Sequence, residues 1–76
     1  MITAKELIKI GFHEIIDETN FRYYVLSFKS PFNFGVDSIS GEFTETGKFK
    51  LWSNNTEYDN VHDLNIVIGV LGNVKF

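Results

Sequence analysis

The chain has 76 residues, 43% of them hydrophobic and 16% aromatic, with no cysteine and a formal net charge of −3. One domain is what this length supports, and such a domain buries only about 60% of the surface its unfolded chain exposes. This composition argues against disorder, the absence of cysteine excludes disulfides and thiolate metal sites, and the mild acidity argues against a surface built for phosphates.

The first element carries the clearest local code. Thr3 and Glu6 have the spacing of a capping box, with Ile2 and Leu7 at the flanking staple positions. Leu7, Ile8 and Ile10 supply an apolar face, Lys5 and Lys9 point outward, and Gly11 is the expected stop, with Phe12 packing back on the last turn. A helix this short does not form alone, so it must dock on something.

Residues 12–16 and 21–28 are β-rich runs around the polar turn Asp17-Glu18-Thr19-Asn20, which predicts a hairpin. In the second run Phe21, Tyr23 and Val25 alternate with Tyr24, Leu26 and Phe28. Both faces are apolar, the pattern of a strand covered on two sides, by one helix per face or by a partner.

Pro31 ends that strand, and residues 32–36 read as a loop entering a third. Residues 38–41 read as a bend or bulge. Residues 42–44 and 48–52 flank Glu45-Thr46-Gly47, where glycine can take a positive φ in a hairpin turn. Phe49 and Leu51 fall on one face of the last strand, with Lys48, Lys50 and Trp52 on the other, as expected near a sheet edge. Residues 53–60 read as polar and irregular. For 61–71, helical spacing of Val61, Leu64, Ile68 and Leu71 competes with β-branched residues and Gly69; the length favours a helix capped by Asn60. The expected fold is α+β: a short N-terminal helix, a three- to four-stranded antiparallel sheet and a C-terminal helix.

No constellation of catalytic type emerges. His13 and His62 lack the convergent ligands of a zinc site, so no metal or cofactor is expected. The carboxylates Glu14, Asp17, Glu18, Glu42, Glu45, Asp59 and Asp63 lie at turns and strand ends, where solvated charge is the ordinary reading. No serine sits in a nucleophile elbow, and the glycines stand too far apart for a phosphate cradle. Lys48-Phe49-Lys50-Leu51-Trp52 alternates basic and aromatic residues, yet Phe49 falls on the face opposite the lysines, which argues against a grip on single-stranded nucleic acid. The start MITAKELIKIGF has no basic segment followed by a sustained apolar run, and residues 66–71 are far short of the about 20 a membrane span needs. The expected location is the host-cell cytoplasm, with no membrane.

The aromatic excess is what remains. Tyr24, Phe32, Phe34, Trp52 and Tyr58 are the candidate partner surface, because such side chains make interface hot spots. The run Thr-Ala-Lys-Glu-Leu-Ile-Lys-Ile-Gly-Phe at 3–12, Tyr23-Tyr24-Val25-Leu26, and Val61-x-x-Leu64 leading to Leu71-Gly72 resemble small uncharacterised proteins of phages and mobile elements, especially those of Bacteroidetes. That resemblance implies a non-enzymatic module that binds a host or phage protein, with an inhibitor of a host defence or nucleic-acid enzyme as its sharpest form. The alternatives are a homo-oligomeric structural protein, and a small-molecule-binding domain or minor hydrolase using Tyr24, His13 or His62.

Overall fold

The computed structural model describes residues 1–27 and 38–72. Helix α1 (Ala4–Ile10) is followed by β1 (His13–Ile16), β2 (Arg22–Ser27), β3 (Ser38–Phe43), β4 (Phe49–Leu51), β5 (Thr56–Tyr58) and α2 (Val61–Gly72). The strands form one antiparallel sheet in the order β1-β2-β3-β4-β5, so every strand lies beside its neighbour in sequence. This is an α+β fold with a strand more than the sequence suggests.

Helix α1 forms as its code dictates. The Glu6 amide donates to Thr3 Oγ1 at 3.2 Å and the Thr3 amide to Glu6 Oε1 at 2.9 Å, satisfying two donors the helix would otherwise leave open. At the other end the Gly11 amide reaches the Ile8 carbonyl at 3.1 Å and the Phe12 amide reaches Leu7 at 2.9 Å. That is the Schellman pattern, and the φ of +127° at Gly11 is a value few other residues accept. Ile2 and Leu7 are both buried, but Ile8, expected on the apolar face, is half exposed.

Two hairpins use the same turn. In the first, the Asn20 amide bonds the Asp17 carbonyl, the Asp17 amide bonds Phe21, and Asn20 takes φ +65°. In the second, Gly47 bonds Thr44, Thr44 bonds Lys48, and Gly47 takes φ +84°. Each is a three-residue loop closed by a left-handed residue, a common connection between twisted antiparallel strands.

Two expectations are corrected. Residues 38–41 lie within β3 rather than in a bend, because Gly41 is a strand glycine whose missing side chain leaves room for the Phe49 ring: an added Cβ would sit 2.7 Å from Phe49 Cζ and 2.5 Å from the Lys50 carbonyl. Residues 53–60 are not wholly irregular, since Thr56–Tyr58 pairs with β4 and takes the edge position expected for the lysine-bearing strand. Residues 32–36, expected as a loop, lie outside the described residues. The helix expected at 61–71 is present. Asn60 caps it by accepting from the Asp63 amide at 2.9 Å, and Asn60 Nδ2 donates back to Asp63 at 3.1 Å.

One core holds these elements together. Ile2, Leu7, Phe12, Tyr24, Leu26, Ile39, Phe49, Leu51, Tyr58 and Leu64 form a single buried cluster, so both helices cover the same face of the sheet. Phe49 is its hub, meeting Phe12 and Phe43 edge to face at centroid distances of 5.5 and 5.4 Å and Tyr24 at 6.1 Å. Edge-to-face rings bring the positive rim of one to the negative face of the other, which adds about 0.5–1.5 kcal/mol per pair beyond burial. Of the two ways expected for covering both faces of β2, the helices supply only one face: the apolar second face has no helix among the described residues.

Candidate functional site

The site is built on that second face. Antiparallel register sets His13 opposite Val25, Ile15 opposite Tyr23, Val25 opposite Ser40, Glu42 opposite Lys50 and Lys50 opposite Glu57. Alternation along each strand turns these side chains away from the core. Trp52 joins them, since its amide pairs with the Ser40 carbonyl at 3.0 Å just beyond β4.

Three aromatic rings gather here into a shelf. Phe21 and Trp52 lie 15° from parallel with centroids 6.3 Å apart, Phe21 and Tyr23 are stacked at 6.1 Å, and Tyr23 and Trp52 are tilted at 5.3 Å. The Trp52 indole N–H donates to Glu42 Oε2 at 2.8 Å, which fixes the ring across β3. Stacking and this hydrogen bond order the shelf without burying it. Phe21 and Trp52 remain 40% and 41% exposed, and Ile15 beside them 36%. Rigid, ordered and half-exposed aromatics are the side chains that lose least entropy when a partner covers them. Next to the shelf runs the cross-strand row Glu42, Lys50, Glu57, alternating in sign.

The residues singled out from the sequence scatter. Trp52 stands on the shelf. Tyr24 does not: it is 2% exposed, on the core face, and its hydroxyl donates to Glu14 Oε2 at 3.0 Å. Burial first, and then that bond to a carboxylate, raises the Tyr24 pKa above 10.0. Tyr58 is also a core residue, its hydroxyl accepting from Asn54 Nδ2 at 2.9 Å. Both are corrected as partner-surface residues because strand alternation turns them toward the helices. Phe32 and Phe34 lie outside the described residues. Phe21, Tyr23 and Ile15 were the ones missed. The signal for Phe21 and Tyr23 was present in the alternation of residues 21–28, and Ile15 joins them through its pairing with Tyr23, but only the register across β3 and β4 decides which half of that alternation faces the helices.

Tyr24 and His13 are on opposite faces of the sheet, and His62 is exposed in the first turn of α2. Glu14 couples Tyr24 to Arg22 Nε at 3.5 Å in a largely exposed pair at the sheet edge, where solvent weakens such contacts. A cleft of about 400 Å³ lies between the helices, lined by Glu6, Lys9, Ile10, Val61 and Asn65. Its one carboxylate is already held by the Thr3 cap. Among the described residues no three His, Asp or Glu side chains converge as metal ligands, and no helix is long and apolar enough to cross a membrane.

Comparison with protein-family models, curated proteins and solved structures finds no match for this chain.

Proposed function

We propose that this chain is a non-enzymatic protein-binding module that works through the open face of its sheet. The observation that carries the reading is the Phe21–Tyr23–Trp52 shelf, ordered by stacking and by the Glu42 bond yet left half exposed. Tyrosine, tryptophan and phenylalanine are enriched in the core of interfaces, and a rim of charge around them sets orientation. The carboxylates of Glu42 and Glu57, on a chain of net charge −3, suit a partner that offers aliphatic side chains flanked by basic ones. The resemblance of residues 3–12 and 23–26 to proteins of phages and mobile elements supports a partner in the host cytoplasm. Inhibition of a host defence or nucleic-acid enzyme is the sharpest form of this reading.

The test uses the single tryptophan of the chain. A host protein captured on the wild type and then purified is added back while Trp52 emission is followed. Docking on the shelf shifts the emission to shorter wavelength and shields it from acrylamide; a bound partner that leaves both unchanged contradicts the reading.

A further inference from the structure

The first strand ends the sheet, and its outer edge has no strand beside it among the described residues. The Asp17 amide bonds the Phe21 carbonyl. Backbone groups alternate direction along a strand, so His13, Ile15 and Asp17 turn theirs toward β2, while Glu14 and Ile16 turn theirs outward. Natural edges are usually guarded by lysine, proline or a bulge. His-Glu-Ile-Ile has none of these guards, and all four residues are exposed.

We infer that this edge pairs with its own copy: two chains join β1 to β1 antiparallel about a two-fold axis through Ile15. A two-fold contact must be self-complementary, so the chain's own side chains select the register. An axis at Glu14 sets the two Glu14 carboxylates directly opposite each other, where like charges are destabilising. An axis at Ile16 leaves Glu14 without a strand residue to pair with, because Glu18 opposite it lies in the β1–β2 turn. The axis at Ile15 avoids both. Glu14 then faces the partner's Ile16, twice, and each pair exchanges two backbone hydrogen bonds, so all outward groups of the strand are satisfied.

The side chains agree with this register. Ile15 meets the partner's Ile15 as a non-hydrogen-bonded pair, the type in which side chains approach most closely. His13 stands opposite the partner's Asp17 on the same face, so an imidazole N–H faces a carboxylate. Asp17 Oδ1 takes the Thr19 hydroxyl and amide and the Phe21 amide, while Oδ2 has no partner among the described residues. Glu14, bonded by Tyr24 and Arg22 of its own chain, meets no acidic side chain of the partner in this register.

The consequence is functional. Ile15 lies beside Tyr23, so the joined sheets present both aromatic shelves on one continuous surface with the isoleucine pair between them. A four-residue seam is small, so the dimer is reversible and dissociates on dilution.

Light scattering across concentrations up to the millimolar range reads the mass. The inference expects a dimer that dissociates on dilution. Ile15→Lys and Ile15→Glu, at an exposed site, each give a folded monomer, and mixing the two restores the dimer by pairing lysine with glutamate. Because the chain lacks cysteine, Ile15→Cys also tests the register: it oxidises to a covalent dimer, since Cα atoms about 4.5 Å apart suit a disulfide. Ile16→Cys, displaced from its symmetry mate, does not. A monomer at every concentration, a dimer indifferent to Ile15→Lys, or equal cross-linking of both cysteine variants overturns the inference. None of these readouts requires the host partner, so this inference and the proposed function stand or fall separately.

Discussion

Gly41 occupies a strand position where any side chain would meet both a backbone carbonyl and the hub ring of the core. The Lys50 carbonyl belongs to the β3–β4 ladder and cannot retreat without breaking it, and Phe49 is fixed by three aromatic neighbours. Gly41→Ala is expected to cost about 1–3 kcal/mol, toward the upper end, as overpacking does. Chemical denaturation checks this, and a change within about 0.5 kcal/mol, the ordinary range for surface sites, would show that the ring can move. Asp17 acts at the same scale but through charge. The Thr19 hydroxyl and then the Phe21 amide bond its carboxylate and lower its pKa from 3.8. A group held ionised in this way contributes stability above its unfolded pKa and loses it as the pH falls through the lower folded value. The β1–β2 turn is therefore expected to loosen only below pH 3.8, with the Thr19 and Phe21 amide resonances shifting together in an NMR titration. Amides that move at higher pH, ahead of the carboxylate, would contradict this.

At the scale of elements, α1 depends on its caps more than on its length. Seven residues are too few for a helix that stands alone, so each satisfied end group counts. Thr3→Ala is expected to cost about 1 kcal/mol in global stability and to speed hydrogen exchange of the Glu6 amide. The sequence made this helix legible because its signals are contained in eleven consecutive positions, from Ile2 to Phe12. The hairpins were legible for the same reason, since the polar run from Asp17 to Asn20 and the glycine at 47 mark their turns locally. Other features were not legible because their causes lie on another strand. Gly41 resembles turn material until the Phe49 ring is placed against it. Strand β5 is three residues between polar turns, held by pairing with β4 rather than by its own propensity. Tyr23 and Tyr24 are chemically alike at adjacent positions. Only the alignment of Tyr24 with Gly41 and Leu51 puts it on the helix side and leaves Tyr23 for the shelf.

On the scale of the whole molecule, the layout is two helices against one face of a sheet, with an ordered aromatic cluster on the other. The apolar patterning of both faces of β2 calls for a cover on each. The covers are unequal: one face is a packed core, and the other is half exposed where Phe21, Trp52 and Ile15 meet solvent. Trp52→Ala removes an exposed ring and its bond to Glu42 while leaving the Phe49 core intact, so the folded state is expected to persist. Under the proposed function, loss of this ring is expected to weaken partner binding by about 2 kcal/mol or more. The decisive measurement is the calorimetric affinity of the purified host partner for the wild type and for Trp52→Ala, with circular dichroism confirming the fold of both. The account expects the variant to bind at least about 20- to 30-fold more weakly. Equal affinities would place the binding surface elsewhere and contradict it.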